Sequence, residues 1–191
     1  MSAETPPTDK QIRIAIATII RNALNSLYNP GLAIPVWDHW ILKQDLGESA
    51  AALRIKSGVD KGKIHGWMIG LSGINRKRPD AEVNKMGAAR LKTIGINRRD
   101  IARSYRIWCA IQLNTGDANN ESETNSENVL ADEIEKVSDA FSSNPMLGIS
   151  NSLLQGHSEL QFEPIDTFNF DGTMANVAQG TLTVFVHRTI S

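Results

Sequence analysis

The segment from Arg103 to Leu113 alternates between two sets of side chains with a period of two. Tyr105, Ile107, Cys109, Ile111 and Leu113 form one set, and Arg106, Trp108, Ala110 and Gln112 form the other. This pattern is typical of a half-buried β-strand, because successive side chains of a strand point to opposite faces of its sheet. The pattern therefore predicts a strand with one buried face in a sheet.

Two further segments repeat their apolar residues at helical spacing. Residues 9–28 carry Ile, Ala and Leu at intervals of three and four, follow a suitable N-cap at Thr8, and end at an Asn-Pro-Gly sequence. Proline there cannot continue the helical hydrogen-bond ladder. Residues 125–143 repeat the pattern, and Thr124 followed by Glu127 has capping-box spacing. We therefore expect two amphipathic helices.

Additional strands are predicted on both sides of the second helix. Residues 51–57 and 64–72 have strand character. A C-terminal β-hairpin is predicted over about 160–187, with its turn at Asp171 and Gly172, because Asp-Gly is a frequent two-residue turn.

The order of these elements is helix, strands, helix, strands, without regular β-α alternation. Such an order favours an α+β fold over a doubly wound parallel sheet. We expect an antiparallel sheet of about four or more strands with two main helices packed on one face. A long basic insertion at about 74–100 interrupts it, with a possible short helix at 80–91. At 191 residues, of which 41% are hydrophobic, residues 1–191 are expected to form a single domain.

Charge is distributed unevenly although the net charge is only -1. Residues 54–106 contain 14 Lys and Arg against 4 Asp and Glu, whereas residues 117–166 contain one Lys against 11 Asp and Glu. Blocks of opposite charge can meet across a subunit boundary, where they guide association. The alternative is two unrelated solvated faces.

The interface candidates are charged residues from these blocks and one tryptophan, Trp108. Trp108 lies opposite the apolar set of its strand, so it either packs in the core or anchors a partner. The full set is Arg76, Lys77, Arg78, Arg98, Arg99, Glu121, Glu123, Glu127 and Trp108.

Signals of catalysis and cofactor binding are missing from the sequence. The four histidines are scattered, and no nucleophile elbow, P-loop, dinucleotide fingerprint or zinc-protease motif occurs. Cys109 lies on the apolar side of its strand and is expected to pack as a small hydrophobic residue. We expect no enzyme, no cofactor, no metal site and no membrane span, and a protein that is made in a cytoplasm.

The last 90 residues combine several of these features. A strand that reads Arg-Ser-Tyr-Arg-Ile-Trp-Cys-Ala-Ile from Arg103 precedes a polar loop, and Asn-Ser-Glu-Asn from Asn125 opens a helix that ends at Asn144-Pro145. Two strands follow, ending in Gly-Thr-Leu-Thr-Val-Phe-Val from Gly180. This order resembles tail terminator proteins of tailed bacteriophages, and the N-terminal helix and the strand from Lys63 fit it. The basic insertion is not part of the resemblance.

The resemblance implies a structural virion protein in the tail or neck. It would form a ring, usually a hexamer, at the head-proximal end of the tail tube, end tail assembly and join the tail to the head-side connector or stopper. DNA would pass through the lumen without sequence-specific binding, and we favour an acidic lumen. Assembly would take place in the cytoplasm of the bacterial host.

Three alternatives stay open at this point. The first is another head-to-tail joining protein, such as a stopper or adaptor. The second is a nucleic-acid-binding accessory protein that uses the basic stretch. Lysine and arginine clusters neutralise phosphates, but the stretch has no interleaved aromatic residues for base stacking. An enzyme without local motifs is the third alternative, and a deep pocket with convergent ionisable groups would favour it.

Overall fold

A computed structural model describes residues 5–28, 34–39, 52–58, 60–75, 98–113, 121–170 and 172–189. Within them the elements are α1 (Asp9–Leu27), β1 (Val36–Trp37), β2 (His65–Asn75), β3 (Arg98–Gln112), α2 (Glu121–Ser142), β4 (Leu154–His157), β5 (Gln161–Phe162), β6 (Asp166–Phe170) and β7 (Thr173–Thr189). Two helices and a curled sheet of seven strands make this an α+β fold, as the sequence predicts.

Helix α1 confirms the predicted N-terminal helix. Thr8 is its N-cap, and its side chain accepts a hydrogen bond from the backbone N–H of Gln11. The Gln11 side chain accepts one from the N–H of Thr8 in return, which completes a capping box. Ile12, Ile16 and Ile20 line the buried side of the helix, so its position follows from the spacing of its apolar residues.

Helix α2 begins earlier than the sequence predicts. We expected a capping box at Thr124 and Glu127, but the helix already begins at Glu121, so Thr124 lies inside it. The sequence before Thr124 alternates Glu and Ser, and acidic residues in a first turn are stabilised by the helix dipole. The helix therefore extends to include residues that we placed in the preceding loop.

The sheet has the strand order β1-β2-β3-β7-β4, and β5 and β6 also pair with β7. Strands β2, β3 and β7 are long and antiparallel, and β3 and β7 are in register from Arg98 opposite Thr189 to Gln112 opposite Ala175. The remaining strands are short, and β1 pairs parallel with β2. The sheet thus has one edge at β2, where β1 covers only Trp67 and Met68, and another at β4, β5 and β6.

Two of the predicted strands are corrected by the structure. In the predicted strand at 51–57, the described residues 52–57 form no strand and make a single bridge, between Arg54 and Ile64, because the chain reverses tightly through Gly58 and Gly62 at positive φ. The predicted strand at 160–170 is split into β5 and β6 around Pro164, which has no N–H to donate. Strand β4 was not predicted, whereas the turn between Phe170 and Thr173 confirms the hairpin.

The two faces of the sheet are covered differently. Both helices lie on one face, where Trp67, Ile69, Tyr105 and Ile107 belong to the main core. On the other face, a smaller cluster of Leu53, Ile64, Met68, Ala110, Phe170, Ala175 and Val177 covers one end of the sheet. We call these the helix face and the outer face. Trp67 and Met68 lie on opposite faces, as successive residues of a strand do, so β2 has the strand character predicted for residues 64–72.

The predicted basic insertion falls largely outside the described residues. Ile74 and Asn75 belong to β2 and Arg98–Asp100 to β3, so these ends of the predicted insertion are strand. The rest of it lies outside the described residues, as does the possible helix at 80–91. Among the helices that the structure describes, none is long and apolar enough to cross a membrane.

Candidate functional site

Glu133 is a carboxylate inside the main core. Its side chain has 0% exposure. Oε1 accepts hydrogen bonds from the Tyr28 hydroxyl at 2.5 Å and from Nε2 of His65 at 2.6 Å, and Oε2 accepts one from the indole N–H of Trp67 at 3.0 Å. We call these four residues the Glu133 cluster. They join the end of α1, the start of β2 and the middle of α2.

The three donors account for the presence of a carboxylate at this depth. Burial of a carboxylate is costly unless hydrogen bonds replace its hydration, and each oxygen of Glu133 has at least one donor. Burial together with the neighbouring Glu133 charge raises the pKa of Tyr28 far above its usual value, so the phenol stays a donor. The cluster is therefore a polar link between both helices and the sheet.

An open pocket of about 230 Å³ lies beside this cluster. Its lining includes Tyr28, His65, Lys63, Asn125 and Ser126. A carboxylate that holds an imidazole in one orientation is also found in acid–base sites, but such a site needs a reacting group within hydrogen-bond reach. In the described part of the chain, no group of three or more His, Cys, Asp or Glu residues is placed to hold a metal ion.

Cys109 packs in the main core, as its position in the alternating strand predicts. It has 0% exposure, and its thiol donates to the carbonyl of Ala178 at 3.5 Å. Burial raises the pKa of the Cys109 thiol well above its usual value. A neutral, enclosed thiol is a poor nucleophile, so Cys109 has a packing role.

The predicted interface residues are distributed over both ends of the sheet. Trp108 lies on the outer face, half-buried, with its ring edge-on to Phe170 at 5.8 Å, and Glu127 is exposed on α2. Arg98 and Arg99 occupy the end of β3, opposite Thr189 and Arg188 of β7. Glu121 and Glu123 form the first turn of α2. Arg76, Lys77 and Arg78 lie outside the described residues.

The described members of the basic block do not form one surface. Arg54 and Lys63 lie near the end of the sheet at which α2 begins, where Lys63 pairs with Asp60. Arg103 and Arg106 lie farther along β3, toward Arg98. Sequence proximity suggested a single patch, but the long β2 and β3 strands separate its members.

Large apolar side chains are half exposed at both edges of the sheet. Leu71 and Ile74 on β2 are 40% and 54% exposed, and Phe168 on β6 is 48% exposed. Neither β2 beyond Met68 nor the outer side of β6 has a strand partner within the described ranges. Uncovered edge strands of this kind are where other chains pair or pack.

The sequence reasoning missed both the Glu133 cluster and the edge residues. The sequence pattern did not lead us to single out Glu133 among the acidic residues of the second helix. Glu133 lies three residues after Leu130 and four before Val137, so its helical position was the signal of burial. No comparable signal marks Leu71 or Ile74, because exposure at a sheet edge depends on which strands are neighbours.

Comparison with known proteins leaves the chain without an assigned family. No family model matches it, and no curated protein matches its sequence.

Proposed function

We propose that this chain is a structural protein of a bacteriophage tail, which assembles with copies of itself into a ring at the head-proximal end of the tail tube. The ring would end tail assembly and bind the head-side connector. This proposal carries forward the resemblance of the last 90 residues to tail terminators. It requires no cofactor and no catalytic residue.

The observation that carries the proposal is the pair of sheet edges at which the described residues place no further strand. A half-exposed leucine, isoleucine or phenylalanine is unremarkable alone, since much of any protein surface is apolar. Here Leu71 and Ile74 follow each other on one edge strand, and Phe168 lies on the strand at the other edge. A protein with an attractive surface at each of two edges is suited to bind one neighbour on each side.

The order of the elements gives a second line of support. Two helices on one face of a largely antiparallel sheet match the order on which the resemblance rests. The Glu133 cluster fits the same proposal, because it fixes both helices to the sheet and thus makes one rigid building block.

The test is the mass of the purified protein in solution, measured by light scattering at two salt concentrations, alone and with tail tube protein. We expect a discrete ring, or a monomer that becomes a ring on the tube. A protein that stays monomeric with tail tube protein at both salt concentrations would contradict the proposal. Binding of DNA by that monomer, strongly weakened by salt, would favour the nucleic-acid alternative instead.

A further inference from the structure

The open pocket beside the Glu133 cluster is lined by two side chains with unused hydrogen-bonding capacity. They are His65 from β2 and Gln112 from β3. Both lie at the same end of the sheet, because His65 is opposite Ile111 in the register of the two strands. In each side chain, one polar atom is fixed by a partner inside the protein, and the other has no partner among the described residues.

The imidazole of His65 offers a hydrogen-bond acceptor to the pocket. Its Nε2 lies 2.6 Å from Oε1 of Glu133. An ionised carboxylate can only accept, so the ring proton is on Nε2. Nδ1 has no hydrogen-bond partner in the described part of the chain, and in the singly protonated ring it carries a lone pair. The buried carboxylate thus fixes the orientation of the ring and the role of Nδ1.

The side-chain amide of Gln112 offers the opposite group. Its Oε1 accepts a hydrogen bond from the backbone N–H of Ile64 at 3.0 Å, which fixes the end of the amide that carries the oxygen. The NH2 group is at the other end, and no described residue accepts a hydrogen bond from it. An amide NH2 group can only donate. The pocket therefore contains one fixed acceptor and one fixed donor.

The rest of the lining favours a small, uncharged ligand. Ile55, Ile111 and Val129 provide apolar walls. Two charges of the lining compensate each other, because Nζ of Lys63 lies 2.7 Å from Oδ1 of Asp60. With a volume of about 230 Å³, the pocket is smaller than the usual site of a drug-sized molecule. A matching ligand has a short apolar part and a polar end that both donates and accepts.

We propose that this pocket binds a primary carboxamide. The N–H of the ligand donates to Nδ1 of His65, and its C=O accepts from the NH2 group of Gln112. A primary amide carries a donor and an acceptor, whereas a carboxylate has only acceptors and an amidinium only donors. The carboxamide belongs either to a free small amide or to the glutamine side chain of a bound polypeptide. The inference is independent of the proposed ring assembly.

The test compares three probes with the same short apolar chain, which are butyramide, butyrate and butyramidine. Nitrogen NMR titrations of the full chain at about pH 8, where the singly protonated imidazole is favoured, measure their dissociation constants. We expect butyramide to bind at least about tenfold more tightly than either of the others. Butyrate has no donor for His65, and butyramidine has no acceptor for Gln112.

The substitution Gln112→Glu should reverse this preference. One oxygen of the new carboxylate can keep the hydrogen bond from Ile64, and the other is an acceptor where the NH2 group was. The pocket then has two acceptors, so we expect butyramide to bind at least about tenfold more weakly than to the wild type and butyramidine more tightly. The matched control is Gln161→Glu, the same change at an exposed glutamine of β5 that does not line the pocket, and it should keep the wild-type preference.

The imidazole nitrogens of the wild type report on the same contact without a substitution. The chain contains four histidines, and of these His65 lines the pocket. Butyramide should therefore shift the Nδ1 resonance of His65 and leave the resonances of the other three histidines unchanged. Circular dichroism checks that Gln112→Glu folds, and if this variant is unfolded, the His65 resonance decides the test.

The two sources of the amide are separated by N-acetylglutamine methylamide, whose side chain ends in the same group as butyramide. Tighter binding of this compound than of butyramide assigns the pocket to a polypeptide partner. Equal or weaker binding assigns it to a free amide. Both results support a carboxamide site.

Three outcomes would overturn the inference. They are wild-type binding of butyrate or butyramidine as tight as that of butyramide, unchanged butyramide binding in a folded Gln112→Glu variant, and a His65 resonance that does not respond to butyramide. None of these measurements depends on assembly, so a failure of this inference is distinguishable from a failure of the proposed function.

Discussion

The two halves of the buried span of helix α2, residues 126–133 and 134–141, are attached to the rest of the molecule by different chemistry. In the first half, Glu133 is fixed by three hydrogen bonds from Tyr28, His65 and Trp67. In the second half, Val137 and Phe141 are buried at 0% and 1% exposure among apolar neighbours. Hydrogen bonds require particular partner atoms, whereas apolar contacts tolerate changes of shape more easily. The first half therefore sets the register of the helix, and the second half contributes packing.

The largest effect should come from removal of the buried carboxylate. Glu133→Ala leaves one buried and two part-buried donors without this acceptor, and we expect it to lower the free energy of unfolding by about 3–5 kcal/mol. Urea unfolding of the variant and the wild type measures this difference. Glu135→Ala is the control, because Glu135 is an exposed carboxylate on the same helix, and its change should stay within about 0.5 kcal/mol.

A fall of less than about 1 kcal/mol in Glu133→Ala would show that the polar half does not fix the helix. The comparison between the halves would then fail, because the apolar half alone would hold α2 in place.

The apolar half should respond less strongly to truncation. Val137→Ala removes buried methyl groups but leaves no polar atom unsatisfied, so we expect a loss of about 2 kcal/mol of unfolding free energy. The same urea experiment measures it, with Lys136→Ala as the exposed neighbouring control. A larger loss in Val137→Ala than in Glu133→Ala would reverse the ranking of the two halves.

The same contrast separates what the sequence predicts from what it does not. The apolar half of α2, the buried side of α1 and the alternation of β3 follow from periodicity, because each element buries one face and the spacing records which residues lie on it. The hairpin turn at Gly172 follows from local turn chemistry. These features need no knowledge of distant parts of the chain.

The polar half and the edges depend on contacts between residues far apart in sequence. Glu133 lies 105 residues after Tyr28 and 68 after His65, so no local pattern states that their side chains meet. The exposure of Phe168 likewise depends on β6 being the last strand at its edge. A sequence pattern identifies the buried side of an element but not the partner that covers it.

The smallest effect should appear at alkaline pH and involves the Tyr28 hydroxyl, which donates to Glu133 in the polar half. Burial and the charge of Glu133 hold the pKa of Tyr28 far above its ordinary value near 10. Below pH 10 the phenol is protonated in both the folded and the unfolded chain, so its contribution is constant. Above pH 10 the unfolded chain loses this proton while the folded chain keeps it, and stability falls as the pH rises.

We expect this loss to reach at most about 1 kcal/mol between pH 10 and 11, since one pKa unit corresponds to about 1.4 kcal/mol and the phenol borders an open pocket. Tyr28→Phe should therefore lose less unfolding free energy than the wild type over this interval, measured by urea unfolding at both pH values. Tyr105 also has a raised pKa from burial and the nearby Asp9 carboxylate, so part of the alkaline loss should persist in Tyr28→Phe. Equal losses in the variant and the wild type would show that the Tyr28 hydroxyl is not held neutral by the cluster. Val137→Ala should have the same alkaline loss as the wild type, because it removes no tyrosine hydroxyl.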